Sequence, residues 1–175
     1  SYARDPDGDA YALQILAQIL GGGPTSRMHR ALVEGQAIAA SARAYYRPDS
    51  LDLGTFSVFA TARPGAGDDA EAQLDALQDA IEAEIARLIA DGVTAEELAA
   101  AKKVMAADAV FARDSLNFGA RTIGVAVTSG RAPDHIEDWP ERIGAVAAEE
   151  VVAAAERVFD LNRSVTGFLL PEPTS

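Results

Sequence analysis

Apolar positions recur along the chain at two different spacings. Behind Asp9, the residues Leu13, Leu16, Ala17 and Leu20 return every three or four positions, which is one face of an α-helix, with Asp9 placed to cap it and Gly21 to end it. Gly21-Gly22-Gly23-Pro24 then turns the chain, because glycine past a helix end accepts the backbone angles of a reversal, and Thr25 or Ser26 can cap the next helix. That second helix is expected to be short, from about Ser26 to Glu34, with Met28, Ala31 and Leu32 inward. From Ile38 to Tyr46 the pattern becomes extended. After a turn at Arg47-Pro48-Asp49-Ser50, a strand from about Leu53 to Ala62 alternates Leu53, Thr55, Ser57, Phe59 and Thr61 with Gly54, Phe56, Val58 and Ala60. The two extended runs predict an antiparallel hairpin.

Helical spacing dominates the remainder. Beyond a loop at Arg63 to Gly67, Asp68 or Asp69 caps a long helix in which Leu74, Leu77, Ile81, Ile85 and Leu88 form the inward stripe, placed to cover one face of the sheet. Asp91-Gly92-Val93 turns the chain, and Thr94-Ala95-Glu96-Glu97 has the spacing of a capping box. The helix behind it is expected to bury Leu98, Ala101 and Met105, with Val104 and Phe111 continuing the stripe, and to break near Asp114-Ser115 before a fresh stripe of Leu116, Ala120, Ile123 and Val127 that Ser129-Gly130 closes. Pro133 and Pro140 bracket a short irregular helical piece. A helix from about Ala148 to Phe159 carries Val151, Val152, Ala155 and Val158, with Ala147 where a capping hydroxyl would add about 0.5–2 kcal/mol. Arg163 to Leu170 is expected as a final strand. This order predicts an α+β fold, a two-layer arrangement of helices on an antiparallel sheet, as a single domain over 1–175.

Composition narrows the function classes. The net charge of -12 argues against a nucleic-acid partner, since nucleic-acid affinity rests on Lys and Arg neutralising phosphates. There is no cysteine, hence no thiol chemistry, disulfide or cysteine-ligated zinc. No apolar run approaches the roughly 20 residues of a membrane span. The opening Ser1-Tyr2-Ala3-Arg4-Asp5-Pro6 reads as the middle of a protein, so the chain is expected to be a fragment.

No set of residues in the chain converges on an obvious chemistry. The two histidines, His29 and His135, lie far apart and neither has a second histidine at ligand spacing, so they read as a helix-surface and a loop residue. The acidic pairs Glu96-Glu97 and Glu149-Glu150 occupy first helical turns, where carboxylates suit the helix dipole, and adjacent helical residues point apart. Gly21-Gly22-Gly23 lacks the preceding strand and the following Lys-Ser or Lys-Thr of a phosphate loop. Catalytic, cofactor-binding and metal-binding residues are therefore all predicted to be absent from this chain.

Leu20-Gly21-Gly22-Gly23, Thr25-Ser26-Arg27-Met28, Leu32-Val33-Glu34 and Ala37-Ile38-Ala39-Ala40 succeed one another in a frame that resembles the second-domain segment of the pitrilysin and insulinase-like zinc peptidases. That family includes the mitochondrial processing peptidase and the core subunits of the cytochrome bc1 complex. There the segment reads roughly Leu-Gly-Gly-Gly, Ser-Ser-Arg-Leu, Leu-Arg-Glu and Gly-Leu-Ala-Tyr. Trp139-Pro140-Glu141-Arg142-Ile143, Ala145-Val146 and Glu150-Val151 are similar to the region ahead of the family's last helix.

The resemblance implies a metallopeptidase-like domain whose first sheet strands lie upstream of Ser1. It implies zinc in the parent protein's other, N-terminal domain, bound by a His-x-x-Glu-His motif that this chain lacks. Where the family's second domain assists catalysis, an arginine and, seven residues later, a tyrosine donate hydrogen bonds to the substrate carbonyl. Val33 and Ala40 stand at those positions and donate nothing, while Arg43 and Tyr45-Tyr46 are out of register. The expected partners are the zinc-bearing domain of the same protein, a second subunit of the same family in a heterodimer, and an extended peptide substrate. The resemblance leaves two roles: a non-catalytic domain walling the peptide cleft of a zinc endopeptidase, or a structural subunit of the core-protein type with no peptidase role.

Overall fold

The computed structural model describes residues 9–47, 54–63, 69–113, 124–125, 127–128 and 138–170. The fold is α+β, with helices layered against a two-stranded antiparallel sheet among these residues. The turn at Pro48 to Asp52, the start of the second strand at Leu53, the loop at Pro64 to Asp68, and Leu116, Ala120, Ile123 and His135 lie outside the described residues, while Val127, expected in the same inward stripe, is 56% exposed.

Helix α1, Ala10–Gly21, is the centre of the molecule. The predicted face of Leu13, Leu16, Ala17 and Leu20 is buried, but so are Ala10, Ala12, Ile15 and Ile19 on its other sides. Only the stripe of Tyr11, Gln14 and Gln18 is partly exposed; a helix buried so widely must be enclosed, and α1 is, between the sheet and the helices that come after it. Asp9 sits at its N-terminus without capping it. Its carboxylate is instead bound by Arg157, whose Nε donates at 2.7 Å, which ties the start of the described chain to its last α-helix.

Past the glycines the chain does not form the α-helix expected from Ser26 to Glu34. After one turn at Arg27-Met28 it widens into a π-helix, His29–Gly35, in which the Gln36 amide reaches back five residues to the Ala31 carbonyl at 2.8 Å. Met28 and Leu32 are buried as predicted and Ala31 half so. Ser26 does not cap the helix amides. Its hydroxyl donates back to the Gly23 carbonyl at 2.6 Å.

Strands β1, Ala39–Arg47, and β2, Thr55–Ala62, form the predicted hairpin. Pairing runs from Ser41 opposite Thr61 to Arg47 opposite Thr55, with a register irregularity between Ala39 and Ser41. Ala42 and Ala44 face α1 and are buried, and Tyr46 stacks on Phe56, which meets Phe159 edge-on. Ala37, just ahead of β1, has φ 54°. Its position is that of the glycine in the resembled Gly-Leu-Ala-Tyr, and a Cβ in the left-handed region costs roughly 1 kcal/mol. Ala37→Gly should therefore raise stability by about 0.5 kcal/mol, the relief exceeding the extra chain entropy that glycine loses on folding. A urea midpoint unchanged or lowered would contradict it.

Helix α2, Ala70–Asp91, is capped by Asp69, which accepts from the Ala72 amide at 3.0 Å. Leu77 and Leu88 are buried, and Leu74, Ile81 and Ile85 half-buried. Glu84 falls inside that stripe, is buried itself, and is held by Arg87 one turn on. The sheet is covered chiefly by α1, with α2 flanking it, contrary to the role expected for α2. The capping box forms as predicted: Thr94 Oγ1 accepts from the Glu97 amide at 3.2 Å, and Glu97 accepts from the Thr94 amide at 3.1 Å.

Helix α3, Ala95–Arg113, buries Ala101 and half-buries Leu98 and Met105, whereas Val104 and Phe111, expected to continue the stripe, are exposed, Phe111 at 71%. At 100° per residue those two lie together about 100° around the helix from the buried positions. Helix α4, Trp139–Ala145, is fixed from two sides. Trp139 Nε1 donates to Gln14 of α1 at 2.9 Å, and Lys102 of α3 donates to the Gly144 and Val146 carbonyls at 2.8 and 2.6 Å. Helix α5, Ala148–Val158, buries Val151, Ala154 and Ala155. Only half a capping box exists at its start, the Ala147 amide donating to Glu150 Oε2 at 2.6 Å, since an alanine cannot return the bond.

The third strand expected from Arg163 to Leu170 is not formed among the described residues. Leu161–Arg163 is a single 3-10 turn, and the segment after it joins no ladder. Val165 is 99% and Leu169 94% exposed. An isolated extended segment gains no hydrogen bonds without a neighbouring strand, and the hairpin does not supply one here.

Candidate functional site

The corner where the π-helix enters β1 holds the positions that the family resemblance singles out. The wide helical turn is closed by the Ile38 amide on the Leu32 carbonyl at 3.0 Å, and the sheet takes over with the Arg63 amide on the Ile38 carbonyl at 2.8 Å. Val33 is half-buried against the core and Ala40 is exposed beside the strand irregularity. Both side chains are aliphatic, so neither can donate to a substrate carbonyl.

A guanidinium nevertheless lies at this corner. Arg63 Nη2 donates to the Val33 carbonyl at 3.2 Å and to the Ala39 carbonyl at 3.4 Å. Sequence reasoning passed over it because it comes after β2, some thirty residues away. The antiparallel register was the available signal, since continuing the pairing past Ala62 sets residue 63 opposite Ile38.

Arg43, Tyr45 and Tyr46 separate as strand periodicity requires. Arg43 and Tyr45 project to the solvent face, where Arg43 Nη1 donates to the Tyr45 hydroxyl at 3.3 Å, an interaction that favours the charged guanidinium. Tyr45 also meets Phe59 across the strands, ring centroids 6.0 Å apart and edge to face. Tyr46 is on the opposite, core-facing side.

Arg27, Glu97 and Glu150 have structural roles. Arg27 forks onto Glu97, Nε to Oε1 at 2.8 Å and Nη2 to Oε2 at 2.7 Å, while Nη2 also donates to the Gly92 carbonyl at 2.7 Å. The bonds from Arg27 and, less strongly, the Thr94 amide hold the Glu97 carboxyl below the usual carboxylate range against the opposing effect of burial. Of the two acidic pairs, Glu97 and Glu150 serve helix caps and Glu96 and Glu149 are exposed.

A zinc ion does not fit the described residues. A tetrahedral site needs three or four converging ligands, and His29 has one acidic neighbour, Glu34, at 3.7 Å. Among the described residues no three of His, Cys, Asp or Glu gather in that way. His135 lies outside them. A shallow hollow of ≈ 300 Å³ between the Gly92-Val93 turn and α5 contains Glu149 and Glu156 as its ionisable residues and no converging donors. No helix among the described residues is long and apolar enough to cross a membrane.

No curated protein matches the chain. Among solved structures, the chain is similar to the inactive peptidase domain of a candidate zinc protease from Bordetella parapertussis, with a TM-score of 0.80 and 22% identity over 98% of this chain and 87% of that one. It is also similar to a candidate zinc protease from Bordetella pertussis Tohama I, with a TM-score of 0.79 and 20% identity over 97% and 88%. A protease from Helicobacter pylori matches at a TM-score of 0.75 and 21% identity over 87% of this chain, which spans only 35% of the Helicobacter protein. At these identities the likeness establishes the fold. The profile of the peptidase M16 inactive domain matches residues 1–105, more than half of the sequence, and the chain belongs to that family.

Proposed function

We propose that this chain is the non-catalytic domain of a zinc endopeptidase, walling one side of its peptide cleft and meeting a partner subunit of the same family. The observation that carries the reading is the sheet: helices cover one face, while the row from Ser41 to Arg47 stands open to an extended chain. An open strand row offers a peptide alternating side-chain positions and, at its edge, main-chain hydrogen bonds. Zinc belongs in this reading to the N-terminal domain of the parent protein, where it would polarise the scissile carbonyl. The residues here would position the peptide and take no part in bond cleavage.

With aliphatic side chains at positions 33 and 40, the domain supplies no donor there for the developing oxyanion. A second subunit would bring the arginine and tyrosine that this one lacks. The test is peptide hydrolysis by the full-length parent, with zinc, alone and with its partner. Activity that appears only with the partner, and is lost when the partner's equivalent arginine is changed to alanine, is expected. Full activity of the parent alone would refute the division of labour. No hydrolysis in any combination would replace the peptidase reading by that of a structural subunit.

A further inference from the structure

The geometry points to carboxylate recognition on the open face of the hairpin: an extended peptide would lie along it with acidic side chains on Arg43 and Arg47. This rests on the cleft-wall reading above and adds the class of peptide. The strand register puts Ser41 with Thr61, Arg43 with Phe59, Tyr45 with Ser57 and Arg47 with Thr55 on one outward face. Among the described residues two guanidiniums and no carboxylate stand on that face, in a chain with 27 acidic residues and a net charge of -12. Among the described residues neither Arg43, which donates to the Tyr45 hydroxyl, nor Arg47 has a carboxylate partner.

Spacing sharpens the match. Residues four apart on one strand lie about 13 Å from each other, and an extended peptide has the same repeat, so its side chains i and i+4 can meet both guanidiniums together. Between them on β1 lies Tyr45, 50% exposed, whose ring meets that of Phe59, 61% exposed and opposite Arg43, a surface suited to an apolar side chain at i+2. A guanidinium is the fitting partner for a carboxylate because its planar fork matches both oxygens. The chain's overall negative charge does not cancel this attraction, because at physiological salt charges beyond about 8 Å are largely screened.

The probe is the peptide Ser-Glu-Ser-Leu-Ser-Glu-Ser, titrated into the nitrogen-15-labelled chain and followed by amide NMR, beside counterparts with lysine or glutamine replacing both glutamates. Shifts confined to β1 and β2 are expected, with the glutamate peptide binding about tenfold more tightly than the lysine one and losing that advantage at high salt. Arg43→Gln combined with Arg47→Gln should abolish the preference, while Lys103→Gln on the exposed side of α3 should leave it intact. If all three peptides shift the hairpin equally, the cleft wall stands and the acidic preference falls. If no peptide shifts the hairpin, or the shifts lie elsewhere, the cleft-wall reading falls and takes this inference with it.

Discussion

Gly21→Ala should destabilise the domain by more than about 2 kcal/mol, although helix propensity alone would make alanine at the end of α1 the better residue by up to about 1 kcal/mol. The reason is the approach of α1 to β1. A Cβ at Gly21 would lie 2.6 Å from the Arg43 carbonyl carbon and 2.9 Å from Ala44 Cβ, and closer still to the Ala44 amide nitrogen. Those are backbone and buried atoms of a paired strand and cannot rotate aside. Gly22 is different, since the obstruction there is the Gln18 side chain, which can move, and its φ of -78° suits any residue. Gly23 meets nothing within 4 Å, and its φ of 156° leaves a modest conformational cost for substitution. Urea unfolding should therefore rank Gly21→Ala far below Gly22→Ala, with Gly23→Val between. For a domain of this size the Gly21→Ala loss corresponds to a melting temperature lower by at least about 4 °C. Equal stability of the Gly21 and Gly22 alanine variants would show that the close approach is not a constraint.

The glycine run was legible as a turn, but its strictest member was not, because a helix-strand contact is invisible to any reading confined to the turn itself. The same division holds elsewhere. Thr94 and Glu97 were readable because both partners of the capping box lie within four residues. Asp9 looked like a cap for the same local reason, yet Arg157, remote in sequence, takes its carboxylate. Periodicity found the buried positions of α2 and α3, and failed where two stripes diverge by a quarter-turn, at Val104 and Phe111. Alternation found the hairpin, and it named Arg163 to Leu170 as a strand because an apolar extended run looks alike whether or not a neighbour pairs with it. At the candidate site, Val33 and Ala40 drew notice through the family frame alone, since nothing physical marks an aliphatic residue as a missing donor. Arg63 needed the register.

Arg27→Ala should cost about 2 kcal/mol, between the small worth of an exposed ion pair and the larger loss when a fully buried one is broken. The side chains of Arg27 and Glu97 are 13% and 20% exposed, so the pair is partly desolvated, and its two-pronged geometry is the stronger form of charge-assisted bonding. Removing the guanidinium would also leave the Gly92 carbonyl without its donor. Arg30, 3.6 Å from Glu97 Oε1, keeps some charge nearby and limits the loss. Arg27→Lys should recover only part, since an ammonium cannot span both carboxylate oxygens as the fork does. The pH dependence has a definite sign. Glu97 is held below the ordinary carboxylate range in the folded protein, so its stabilisation is complete at neutral pH and above the unfolded-state value, and disappears as the pH falls through the folded-state value. In a double-mutant cycle with Glu97→Gln, the coupling energy should be constant from neutral pH down to about pH 5 and shrink below about pH 4. Coupling near zero at neutral pH would show that the clamp contributes nothing to stability. Coupling unchanged at pH 3 would show that Glu97 ionisation is not its source.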